Sequence, residues 1–190
     1  MRKPITKAFN NKTLAKSIKY RGKVLHEISL MEMLINVFLG EHFCGINNPI
    51  GNRDMQILIL GDDRMTLSAK AQVFHYIANN HYKEGFELYK SMRIHPEAPK
   101  KKYALNHDLD YVIQERNVFA HRILEGDVNA IVKSKSLDAG VIRFVKLKNG
   151  VDGVDYTEKK FKELIDTIQN IYVFIGLMSK DIRDIHSHSV

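Results

Sequence analysis

Apolar positions first gather between Leu25 and Phe43, a stretch rich in Leu, Met, Ile and Phe. Within it Ser29, Glu32, Asn36 and Gly40 recur at spacings of three and four, so they share one helix face while the rest of the circumference is largely apolar. That pattern predicts a central helix. Gly45 to Arg53, with Asn47-Asn48-Pro49 and Gly51-Asn52, reads as a loop. Met55 to Leu60 is a short apolar run that suits a helical turn or a strand, because periodicity does not separate the two. Beyond the break at Gly61-Asp62-Asp63, Thr66 or Ser68 can cap a helix reaching Asn79. A further helical segment is expected from Tyr82 to Met92. Two prolines and three lysines make Arg93 to Tyr103 a loop.

In the second half, Asn106 or Asp108 is placed to cap a helix over Leu109–Leu124, stopped near Gly126. The period then changes. Ala130–Lys135 and Val141–Lys148 carry β-branched residues in partial alternation on either side of Leu137-Asp138-Ala139-Gly140, which predicts a β-hairpin over residues 130–148. Asn149-Gly150 and Asp152-Gly153 mark turns. Thr157 then caps a long amphipathic helix with Phe161, Leu164, Ile165, Ile168, Ile171, Tyr172, Ile175 and Met178 as its buried stripe. The predicted fold class is mainly α: a helical bundle with one small β-hairpin inserted before the C-terminal long helix. A chain of 190 residues suits one domain with a sizeable core. The expected organisation is a basic N-terminal arm (1–24), a single helical domain (25–186) and a short tail (187–190).

Composition changes the picture little, and charge somewhat more. Apolar residues at 44% and charged residues at 27% are ordinary for a globular protein, which argues against disorder or a fibre. No stretch approaches the roughly 20 apolar residues of a membrane span. Met1 to Ile5 leads into no apolar run of signal-peptide type. The one cysteine, Cys44, can form no internal disulfide and belongs to no zinc pattern. A cytoplasmic location without membrane partners is the resulting expectation. The formal charge of +7 is unevenly spread: eight Lys or Arg residues and no acid precede Glu27. With Lys100-Lys101-Lys102, these clusters suit a phosphate backbone or another acidic partner, although solvated surface accounts for them equally well.

Candidate chemistry centres on the Leu109–Leu124 helix. On a wheel of 100° per residue, Leu109, Val112, Ile113, Ala120 and Ile123 form a stripe with Arg116 in its middle. A permanently charged guanidinium there needs an acid, a subunit partner or a ligand. Asn117 lies at the stripe's edge, and His121 follows one turn later at i+4. The structural alternative is an Arg116 ion pair inside the bundle, with Glu32 as the natural partner, and a histidine satisfied by hydrogen bonds. Other groups offer less. Asp184, His186 and His188 match no familiar metal spacing, the remaining histidines are scattered, and Asp62-Asp63 suit a turn before a helix start. No metal site and no cofactor are expected.

Glu115-Arg116-Asn117-Val118-Phe119-Ala120-His121 resembles the Arg-Asn-x-x-Ala-His form of the Arg-x(4–6)-His motif of the HEPN superfamily (higher eukaryote and prokaryote nucleotide-binding). The order of elements from Leu25 to Ile182 is similar to that of HEPN-like bacterial proteins, although only the motif is specific. The resemblance implies a metal-independent endoribonuclease that cleaves RNA at a composite site formed by two protomers, of the toxin or defence-effector kind, with an antitoxin protein as a further partner. It gives His121 the role of general acid/base, a task an imidazole titrating near neutrality suits. Arg116 would hold the scissile phosphate, and Asn117 would orient imidazole or phosphate. Other superfamily members imply the alternative, a non-catalytic module that binds nucleotide or RNA or holds a dimer together. Some HEPN toxins carry a regulatory tyrosine two residues after the histidine. Here that position is Ile123, so such regulation is unsupported.

Overall fold

The computed structural model describes residues 7–95, 97–124, 142–145 and 153–187. The chain is mainly helical with two small antiparallel β elements, as its periodicity predicts. Helix α1 spans Lys7–Cys44, α2 Pro49–Met55, α3 Leu67–His81, α4 Lys83–Phe86, α5 Leu105–His121 and α6 Glu158–Ser187. The strands are β1 (Ile94–His95), β2 (Ala98–Lys102), β3 (Ile123–Leu124), β4 (Ile142–Val145) and β5 (Gly153–Tyr156).

Several boundaries depart from the periodic reading. α1 begins at Lys7, so the basic segment expected as an arm is helical from that point. The expected loop at Gly45–Arg53 contains α2, which starts on Pro49 with Asn48 Oδ1 accepting from the Gly51 amide at 2.9 Å. Proline at the first helical position and asparagine before it are strong start signals. α2 runs on into wider π-type turns over Gln56–Leu60, which expose Ile57, Leu58 and Ile59 and bury Leu60. The expected helix over Tyr82–Met92 shortens to α4. Thr66 and Thr157 do cap α3 and α6, accepting from the Ala69 and Lys160 amides at 3.2 and 3.1 Å.

Strand pairing holds the larger corrections. Arg93–Tyr103, read as a loop, carries the antiparallel β1–β2 hairpin, irregular between Ile94 and His95. The first strand of the expected 130–148 hairpin lies outside the described residues. Its second strand appears as β4, the middle of a three-stranded antiparallel sheet ordered β3-β4-β5. Its partners are the two residues just beyond α5 and the segment just before α6.

Packing gathers the chain into two units. One holds residues 1–26 and 114–165. In it Tyr20 stacks on Phe161, with ring centroids 3.6 Å apart, and Phe119, Phe144 and Tyr156 form a fully buried aromatic cluster. Lys16 pairs with Glu158 at 2.9 Å and holds that carboxyl below the usual carboxylate range.

The other unit holds residues 27–113 and 166–190. Ile28, Met31, Ile35, Phe38 and Leu39 of α1 are buried there with Phe74 and Ile77 of α3 and Ile168, Ile171 and Ile175 of α6. The polar and small stripe on α1 is a packing seam. Lys70 of α3, almost fully buried, donates to Glu32, while a side chain at Gly40 would collide with Asn52 of α2. Asn170 Nδ2 of α6 donates to the Lys90 carbonyl at 3.1 Å.

Candidate functional site

The motif occupies the last two turns of α5, and the aromatic cluster beneath decides which of its side chains point outward. Leu105, Asp108, Leu109, Val112, Glu115 and Phe119 are the buried face of α5. Their spacings of three and four define one stripe. The expected stripe through Ile113, Arg116 and Ala120 is therefore rotated by roughly 60°, with Leu109 and Val112 common to both. Phe119 packs on Phe144 and Tyr156, with centroids at 5.1 and 4.6 Å, and this large aromatic surface outweighs Ile113 and Ala120 in choosing the inward face. Arg116 is half-buried at the edge of the true stripe, and Asn117 and His121 are exposed.

The motif helix buries two carboxylates, Asp108 and Glu115, and the one beside the motif, Glu115, was not singled out from the sequence. Its carboxylate accepts from the Tyr156 hydroxyl and lies 3.6 Å from Lys160 Nζ. Lys160 also sits over the Tyr156 ring, 4.4 Å from its centroid. A carboxylate so satisfied can stay charged in a nearly dry place and fixes the rotation of α5 about its axis.

Glu32 was the natural partner for Arg116, and the structure corrects this. Glu32 is taken by Lys70, and Arg116 Nη1 donates to the neighbouring Asn117 Oδ1 at 3.4 Å. That length is well beyond the usual range, so the guanidinium gives up little in turning to a phosphate.

Arg21 of α1 is a second residue the sequence reading passed over. Its Nη2 donates to the Arg122 carbonyl, one residue past the end of α5, and its guanidinium lies 4.9 Å from the Phe144 ring centroid. The carbonyls at a helix end lack intrahelical donors, so this bond pins the turn that carries His121. Nothing local marks Arg21 for this role among its basic neighbours, since it depends on a contact 101 residues away.

Lys101 and Lys102 are exposed on β2, in the other unit from the motif; the side chain of Lys100 lies outside the described residues. The side chains of Asp184, His186 and His188 lie outside them too. Among the described residues no group of three or more His, Cys, Asp or Glu side chains could hold a metal ion. No helix among them is long and apolar enough to cross a membrane.

Comparison with protein-family models, curated proteins and solved structures finds no match. One helix end presents an exposed imidazole able to give or take a proton, a guanidinium shaped for a phosphate, and a carboxamide beside it. Its backbone is fixed by a buried carboxylate on one side and an arginine at its end.

Proposed function

We infer that the chain is a HEPN-type, metal-independent endoribonuclease. The observation that carries this reading is the disposition of the motif: Asn117 and His121 are exposed, and among the described residues Arg116 makes one long bond and no core ion pair. In the reaction, His121 takes the proton of a ribose 2′-hydroxyl as that oxygen attacks the adjacent phosphorus. The 5′-oxygen of the next nucleotide leaves and takes a proton from a second imidazole that starts protonated. Arg116 binds the non-bridging phosphate oxygens and offsets the charge gathered there. Asn117 orients the imidazole or the phosphate. Two copies of the chain bring their motifs to one composite site, which supplies base and acid from different protomers.

Incubation of purified protein with end-labelled RNA in EDTA tests this. Fragments ending in 2′,3′-cyclic phosphate, produced by the parent protein and lost in Arg116→Ala and in His121→Ala, are the expected result. Cleavage unchanged in either variant, or abolished by EDTA, overturns the mechanism. No cleavage of any RNA, with nucleotide affinity lost in Arg116→Ala, would favour the non-catalytic binding module.

A further inference from the structure

The β1–β2 hairpin is built more firmly than a solvated lysine loop needs to be. Arg93, just before β1, lies over two tyrosine rings, 4.2 Å from the Tyr103 centroid and 3.9 Å from that of Tyr111. Its Nη1 meets Asp108 Oδ1 at 3.0 Å, and the fully buried Asp108 also accepts from the Tyr89 hydroxyl at 2.6 Å. Tyr103 in turn stacks on His95, with centroids 5.2 Å apart and planes 30° from parallel. The Glu97 amide donates to His95 Nδ1 at 3.3 Å, and the His107 ring meets Tyr103 edge-on. Planar groups are thus in contact in the order Tyr111, Arg93, Tyr103, His95. His95 at the end of this series is part-exposed, and Lys101 and Lys102 are exposed on the paired strand.

We propose that this hairpin is a binding platform for single-stranded RNA, on which an unpaired base stacks at the His95–Tyr103 pair while Lys101 and Lys102 take the flanking phosphates. The proposal rests on the reading of RNA as substrate and assigns the surface that holds it. Every base has a π face, so a preformed aromatic platform beside cations binds single strands with little regard to sequence. Arg93 is neutralised by Asp108 and serves as the fixed floor of the stack; the ammonium groups of β2 supply the phosphate attraction. Because Arg93, Tyr103 and Tyr111 are already packed together, little order has to be imposed when RNA arrives.

The test uses the full-length His121→Ala chain, so that binding is read without cleavage, and a fluorescein-labelled single-stranded RNA oligonucleotide of mixed sequence. Adding Lys101→Ala and Lys102→Ala together should weaken binding about tenfold near 0.1 M salt and make the log–log salt dependence shallower by about 1.4, the slope lost with two phosphate contacts to a single strand. Adding His95→Ala alone should weaken binding about fivefold with the salt slope unchanged, since stacking releases no counterions. The two lysines are exposed and His95 part-exposed, and circular dichroism verifies the fold. Affinity and slope unchanged in both variants would overturn the proposal. So would equal affinity for a duplex of the same sequence, which has no unpaired base to stack. If the parent chain cleaves no RNA while the hairpin variants lose binding, the catalytic reading falls and the platform stands. If it cleaves RNA while the hairpin variants bind unchanged, the platform falls and the catalytic reading stands.

Discussion

Tyr89 shows how far a single side chain here can depart from its behaviour in water. Burial and the hydrogen bond to Asp108 push its phenol well above the ordinary value near 10. The folded state therefore keeps a proton that the unfolded chain gives up in alkali. The stability tied to it is complete below about pH 10 and is lost as pH rises toward the folded value. Tyr89→Phe should lower stability at neutral pH by about 1–3 kcal/mol, because a buried carboxylate loses a donor. It should also flatten the fall in stability above about pH 10. Urea midpoints across that range check both, and parallel alkaline slopes for parent and variant would refute the argument. Tyr156→Phe, which strips a donor from Glu115, should cost a similar amount. Both cases also show why sequence reading fell short at this scale. Asp108 looks like a helix cap and Glu115 like a solvated flank, because a carboxylate on an amphipathic helix ordinarily faces water. What turns them inward are Tyr89, Arg93, Tyr156 and Lys160, distant partners that no local pattern in α5 announces. Arg116, Asn117 and His121, the residues proposed to act on RNA, stand out from the sequence by spacing and residue type alone.

At the scale of elements, long amphipathic stretches announced themselves and short ones did not. α6 follows its apolar stripe closely, with Leu164, Ile165, Ile168, Ile171, Ile175 and Met178 all buried. α1 extends beyond its apolar run because lysine and arginine are good helix formers and its N-terminal half packs through Tyr20 and Val24. β1 to β5 have between two and five residues each, too few for alternation to speak. β3 in particular follows directly on the motif helix and forms only because β4 lies beside it. Two variants probe how the elements are held. Arg21→Ala removes a donor from the Arg122 carbonyl, so amides in the last turn of α5 should exchange with solvent faster and global stability should drop by about 1 kcal/mol. Unchanged exchange there would show that the strand pairing alone holds the helix end. Glu32→Ala strands the buried Lys70 ammonium and should cost about 3 kcal/mol in urea unfolding, near the lower limit for such breaks because the Glu32 side chain is about one-third exposed. A loss below about 0.5 kcal/mol would mark the pair as an ordinary surface salt bridge.

For the molecule as a whole, the formal charge of +7 and the basic residues before Glu27 favour association with a polyanion. The proposed composite site adds a firm requirement on assembly. Light scattering should give a mass about twice the 21.9 kDa of the chain at concentrations where the protein cleaves RNA. A monomer that cleaves under the same conditions would exclude the two-protomer site while leaving the roles of Arg116 and His121 intact. The most direct measurement for the central claim is the single-turnover rate of cleavage of one defined RNA in EDTA, compared between the parent chain and His121→Ala. If the imidazole moves the proton in the reaction, the rate falls by at least about 100-fold, the range over which a positioned acid or base contributes. A variant that cleaves within about twofold of the parent rate would show that His121 has no part in proton transfer.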